Sequence, residues 1–286
     1  FNRPKFQRKC FKIRLAFFGG FLVYLTAVDK TLILISDYGT GDPAFTEVII
    51  RLRNLIPNVF IQTQSTPPFS TVNTGFWIYQ VALTPNLKNT YIFSNTAPRK
   101  DKKHAQKNNK GEVLMYAKLK NGFELVGINA GYNFSFIKPF IDKFHHVIAE
   151  NEGSQFRSRD KYPFPVAKMI KKDKSFIGTP ESISIIPDAP KKLIASIDGY
   201  GNIKTSIYSS EAKYKPGQML TIEINKKKHV ATYTDGTFNI HEGELAFAPG
   251  SSGHTDRFME LFLRGGSASN LFDNPAVETE IKIKES

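Results

Sequence analysis

Asp37 and Asp42 stand five residues apart where an apolar run breaks, in Leu32-Ile33-Leu34-Ile35-Ser36-Asp37-Tyr38-Gly39-Thr40-Gly41-Asp42-Pro43. A short apolar run bounded by turn residues reads as a buried strand, and Gly39 and Gly41 permit a tight turn beyond it. In a parallel α/β sheet, ligands lie beyond the carboxyl ends of the strands, so both carboxylates would face a crevice. There a carboxylate can accept hydrogen bonds from the vicinal hydroxyls of a ribose. The same spacing also suits Asp42 as the cap of a helix that Pro43 begins, and from this segment alone that is the better reading. In the distal half, Leu193-Ile194-Ala195-Ser196-Ile197 leads into Asp198-Gly199-Tyr200-Gly201-Asn202, again a carboxylate after a strand. Gly250-Ser251-Ser252-Gly253 and Arg264-Gly265-Gly266-Ser267 add turns rich in Gly and Ser.

The elements that would position these groups fall into two patterns. From Thr31 onward, strand-like runs (Thr31 to Ser36, Val59 to Gln62, Thr90 to Phe93, Val113 to Tyr116, Leu125 to Ile128) alternate with helix-like stretches at Pro43 to Leu55 and Phe76 to Leu83. Such alternation predicts an α/β domain over residues 31–176, in three layers with a mainly parallel sheet. A proline-bearing stretch, 177–190, reads as a linker. Residues 191–286 carry short strand patterns without helical ones, which predicts a small antiparallel β-barrel domain.

Composition narrows the function classes. The chain has 286 residues and 41% apolar content, ordinary for a soluble globular protein. Its net charge of +13 raises nucleic acid as a partner. Against that, the lysines lie in separate turns, and no helix-turn-helix, zinc-finger or aromatic RNA-binding signature is present. The single cysteine, Cys10, rules out an intrachain disulfide and a multi-cysteine metal site, and the six histidines have no metal-ligand spacing. No metal or cofactor is expected. Residues 1–30 form a signal-like or extension segment, basic before an apolar run at Leu15 to Val28 that is short for a membrane span. Export follows if residues 10–28 act as a signal peptide, a cytoplasmic location otherwise. Membrane contact is expected only through 1–30.

Four motifs in order extend the reading: Ser36-Asp37-x-Gly39-x-x-Asp42, Thr63-x-x-x-Pro67-Pro68, Asp198-x-x-Gly201-Asn202 and Gly250-Ser251-Ser252-Gly253. With them, roughly residues 31 to 286 resemble the S-adenosyl-L-methionine hydroxide adenosyltransferase and fluorinase/chlorinase family. The resemblance implies an α/β domain followed by a β-barrel, and a homotrimer whose sites lie between the α/β domain of one subunit and the barrel of its neighbour. It implies displacement of methionine from C5′ of S-adenosylmethionine, a substrate rather than a cofactor. Asp42 falls where the family holds the ribose hydroxyls, with Asp37 beside it, and Phe69 where the fluorinase branch packs a tryptophan on the ribose. Asp198 and Asn202 fall where the family grips the methionine ammonium and the adenine edge, with Tyr200 replacing a phenylalanine between them. Tyr233 takes the aromatic position beside adenine, and Ser251, Ser252 and Gly265 would supply polar contacts.

The nucleophile pocket departs from the family. Water-using members carry an aspartate, an arginine and a histidine that orient and ionise a water; here Asn95, Lys102 and Arg157 take those positions. An amide is no base and an arginine stays protonated. Ser158 matches a serine of the halogenase branch. Three readings follow: a hydrolase releasing adenosine and L-methionine with hydroxide held by Lys102 and Arg157, a halide-using relative, and a protein that binds S-adenosylmethionine or adenosine without turnover. The first is preferred, because hydrolysis demands the least specialised pocket.

Overall fold

The computed structural model describes residues 14–18, 21–25, 30–99, 103–105, 107–236 and 239–285. The strands β1 (Arg14–Phe18) and β2 (Phe21–Leu25) pair with each other antiparallel. The rest of the signal-like segment, and Lys102, lie outside the described residues. Among the described residues no helix is long and apolar enough to cross a membrane.

The apolar run that ends at Ser36 is β3 (Lys30–Ser36). It lies between β4 (Val59–Ser65) and β5 (Thr90–Asn95), parallel to both. Its side chains alternate between two cores. Leu32 and Leu34 meet Phe45, Val48 and Leu52 of α1 (Pro43–Leu55) and Ile170 of α4 (Pro163–Lys171). Ile35 turns the other way, into the cluster that holds Val72, Phe76 and Tyr79 of α2 (Thr71–Ala82). A central strand covered by helices on both faces must be apolar throughout, which is why the segment reads as a continuous run rather than an alternating one.

The remaining strands are β6 (Leu114–Leu119), β7 (Glu124–Ile128), β8 (Ile141–Val147) and β9 (Ile177–Pro180), in the sheet order β4-β3-β5-β7-β6-β8-β9. Only the ladders β3·β4, β3·β5 and β5·β7 are parallel; β6·β7, β6·β8 and β8·β9 are antiparallel. The sheet is therefore mixed, not parallel throughout. The reversal comes in the three-residue loop Lys120 to Gly122, where Gly122 N–H donates to Leu119 O at 2.8 Å and Gly122 takes φ +85°. The stretch expected to be a linker begins inside the fold: β9 is the last strand of this sheet.

The distal half forms a second sheet of seven strands, β10 (Ile194–Ile197), β11 (Ile203–Tyr208), β12 (Met219–Ile224), β13 (Lys227–Tyr233), β14 (Leu245–Pro249), β15 (Phe258–Leu263) and β16 (Lys282–Glu285), with the short helix α5 (Ala268–Leu271). It curls until the chain before β16 meets the chain at β10: Ile194 N–H donates to Thr279 O at 2.9 Å and Ile281 N–H to Lys192 O at 2.7 Å. One expectation fails, since β13 and β14 run parallel and the sheet is not wholly antiparallel.

Helix α2 joins the halves. The Glu278 carboxylate accepts from Val72 N–H at 3.0 Å and from Ser70 Oγ at 2.8 Å, supplying an acceptor to the unpaired amides of the first turn. Asn73 donates to Ala195 O at 2.7 Å, and Phe258 of β15 packs against Phe76 and Tyr79.

Candidate functional site

The parallel register aligns Ser36, Ser65 and Asn95 at the carboxyl ends of β3, β4 and β5. Beyond them opens a cleft of about 700 Å³. Six residues picked out by sequence line it together: Asp37, Asp42, Phe69, Asn95, Arg157 and Ser158.

Asp42 does both things the sequence allowed. Its Oδ1 accepts from Ala44 N–H at 2.7 Å as the N-cap of α1, and the residue lies in the cleft wall. Asp37 accepts from Phe69 N–H at 3.0 Å, which holds Phe69 at φ +63° with its ring half exposed to the cleft. Desolvation pushes the Asp37 carboxyl above the ordinary aspartate value, against the Phe69 amide and the charge of Arg99. The Arg99 guanidinium sits 5.8 Å from the Phe69 ring centroid.

Tyr38, which carries no role in the sequence reading, is the hub of the opposite wall. Its hydroxyl accepts from the Asn95 amide at 3.0 Å and shares a hydrogen bond with Ser158 Oγ. Its ring packs edge-on against Phe45 at 5.1 Å and Phe156 at 5.9 Å. Burial pushes the phenol up to about 12, so it is neutral at physiological pH. Ser158 lies in α3 (Arg157–Asp160), which is anchored to α1 through Arg159: that side chain bonds Asp160 at 2.7 Å and Glu47 at 2.6 Å.

Asp160 is held by Arg159, and Arg157 turns to backbone carbonyls instead. Its Nη1 donates to the carbonyls of Asn109, at 3.3 Å, and Asn151, at 3.2 Å. The guanidinium lies directly against Gly111, where a Cβ would overlap it. His104 and Lys110 also line the cleft, and sequence reasoning missed both. They lie in an irregular segment with no periodicity, so only the fold brings them to the site.

The distal candidates do not reach this cleft within one chain. Asp198 Oδ1 accepts from Tyr200 N–H at 3.0 Å and Asn202 N–H at 3.1 Å, and Asn202 Nδ2 donates to Oδ2 at 3.1 Å. Burial works against ionisation of Asp198, but these bonds and Lys204 hold it below the usual carboxylate range. Lys204, also unforeseen, bonds Glu260 at 2.9 Å, Asp198 at 3.4 Å and Ser251 Oγ at 3.3 Å. Tyr200 is 82% exposed at the tip of that turn. Tyr233 packs on Tyr214 and Phe247 against the core of the distal sheet. Ser252 is buried beneath its loop, and Gly265 forms a turn at φ +79° beside Glu242. Among the described residues no group of three or more His, Cys, Asp or Glu side chains is placed to hold a metal.

No protein-family model matches the chain, and no curated protein sequence does. Solved structures do. A crystal structure of an uncharacterized conserved protein from Thermotoga maritima matches with a TM-score of 0.68 at 16% identity, over 88% of this chain and 100% of that one. A conserved hypothetical protein from Thermus thermophilus matches with a TM-score of 0.62 at 14% identity, over 89% of this chain and 100% of that one. At these identities the likeness is one of fold.

Proposed function

We propose that the protein hydrolyses S-adenosyl-L-methionine to adenosine and L-methionine by displacement at C5′. The observation that carries this reading is the single cleft that gathers Asp37, Asp42 and Phe69 on one side and Asn95, Arg157 and Ser158 on the other. The first set suits a ribose: two carboxylates to accept from its hydroxyls and an aromatic face to pack on it. The second set suits a nucleophile placed in line with the C–S bond. A water oxygen forms the bond to C5′, the C5′–S pair leaves on sulfur as the neutral thioether of methionine, and the water gives up one proton.

Neither Asn95 nor Arg157 can take that proton. Arg157 instead favours the ionised nucleophile by charge, which acts strongly in a site that excludes water. His104, exposed at the cleft wall, is an imidazole able to accept the proton. In this reading a second copy of the chain completes the site, in a homotrimer whose Asp198, Tyr200 and Asn202 close over adenine and the methionine ammonium. The exposure of Tyr200 supports that arrangement.

The test is incubation with S-adenosylmethionine and identification of products, beside sedimentation. Adenosine and methionine in equal amounts from a trimer are expected. Saturable adenosine binding without turnover would leave only a binding protein, and 5′-halo-adenosine formed on adding chloride would identify the halide-using relative.

A further inference from the structure

We infer that the nucleophile end of this cleft also accepts a small oxyanion of the phosphate class, which attacks C5′ and leaves as a 5′-phosphoester of adenosine. This activity rests on the displacement reading above and adds to it.

The hydroxyls of the inner wall are placed to donate to an anion in the cleft. The Tyr38 phenol is neutral and accepts the Asn95 N–H, and one hydrogen bond joins it to Ser158. Two hydroxyls sharing one bond use one proton between them. If Tyr38 donates, the Ser158 hydroxyl keeps its proton for a ligand; if Ser158 donates, the phenol proton can go to Ser36, which also bonds Tyr38. Ser158 is only 4% exposed yet lines the cleft, so its hydroxyl can reach an anion bound there. A buried donor left unmatched is destabilising, and an oxygen-rich anion relieves it.

Charge points the same way. Arg99, Lys110 and Arg157 line the cleft, against the carboxylates of Asp37 and Asp42. Those two carboxylates already accept Phe69 and Ala44 amides. Among the described residues, Arg157 uses Nη1 alone, on two backbone carbonyls that hold the guanidinium still. Its other N–H groups remain for a ligand, and a fixed guanidinium fits an oxyanion better than it fits a water.

The proton balance agrees. Water must pass a proton to His104 at the cleft wall, whereas hydrogen phosphate arrives ionised and needs no base. A phosphate oxygen forms the O–C5′ bond, the C5′–S pair leaves on sulfur, and the sulfonium becomes the neutral thioether of methionine. No proton moves, no oxidant is needed, and the dianion and the cationic sulfonium give a singly charged ester.

The experiment incubates the full chain with S-adenosylmethionine in an oxyanion-free buffer, with and without inorganic phosphate, and resolves the nucleoside products by mass. Adenosine 5′-phosphate should appear with a saturable dependence on phosphate. The Arg99→Ala/Lys110→Ala double variant should lower the ratio of ester to adenosine by about tenfold, the scale of one charged hydrogen bond. Adenosine formed at the same rate in both arms, with no ester, overturns the oxyanion site and leaves hydrolysis standing. Intact S-adenosylmethionine in every arm overturns both.

Discussion

The Asn95 amide donates to the Tyr38 hydroxyl at 3.0 Å, tying the end of β5 to the turn that follows β3. Because the same hydroxyl bonds Ser158, one phenol holds together three segments that are far apart in sequence. The Tyr38→Phe variant keeps the ring against Phe45 and Phe156 but strands the amide and the serine. We expect turnover to fall about tenfold or more, with adenosine affinity nearly unchanged, since the ribose contacts lie on the other wall. Steady-state kinetics beside equilibrium binding of adenosine checks this. Equal losses in both would place Tyr38 at the ribose instead.

The buried phenols also predict an alkaline limb of stability. Tyr38 and Tyr162 are both pushed up to about 12 by burial, against about 10 in an unfolded chain. The folded state holds these protons more tightly, so their contribution is complete below about pH 10 and is lost as pH rises towards 12. Urea midpoints across that window should fall more steeply for the parent than for the Tyr38→Phe/Tyr162→Phe double variant. Parallel curves would show that these phenols do not govern the limb.

Glu278 ties the last segment of the chain to the first turn of α2, 206 residues away in sequence. Removing its carboxylate in Glu278→Ala leaves Val72 N–H and Ser70 Oγ without this acceptor. We expect a loss of roughly 1–3 kcal/mol in unfolding free energy, read from urea denaturation. A shift below about 0.5 kcal/mol, the scale of an uninvolved surface substitution, would mean that water replaces the carboxylate without penalty.

Much of this architecture could be read from local pattern. The run Leu32 to Ile35 is buried on both faces and shows it, and Asp42-Pro43 announces a capped helix because both signals are adjacent in sequence. Asn121-Gly122 carries an equally local hairpin signal, and it accounts for the antiparallel pair β6·β7 that alternation alone did not predict. The nucleophile wall was only half legible. Asn95 and Ser158 could be placed by motif, but Tyr38, Lys110 and the carbonyls that clamp Arg157 meet only through tertiary contacts, which have no period. The parallel pair β13·β14 has the same cause, because strand direction there depends on a long connection rather than on the strands themselves.

Asp42→Ala should register in two measurements at once. The side chain caps α1 and lines the cleft, so we expect about 1 kcal/mol of lost stability together with roughly tenfold weaker adenosine binding. Asp42→Asn retains a capping oxygen but loses the charge, and should recover most of the stability and little of the affinity. Full recovery of affinity in Asp42→Asn would show that the cap alone matters, acting by holding the turn in place.

The contact between Gly111 and Arg157 gives a sharper probe of the cation than deleting it. A Cβ at residue 111 would overlap the guanidinium, which must move and give up its bonds to the Asn109 and Asn151 carbonyls. In Gly111→Ala the charge stays in the cleft but loses its position. If Arg157 stabilises the nucleophile, its placement matters as much as its presence, and turnover should fall by about ten- to a hundredfold. Adenosine affinity should hold, because Asp37, Asp42 and Phe69 are untouched. The Gly111→Ala/Arg157→Ala double variant should then be no slower than Arg157→Ala alone, since both changes disable the same group. Additive losses in the double variant would show that Gly111 serves the loop rather than the guanidinium. Full turnover in Gly111→Ala would remove Arg157 from the chemistry.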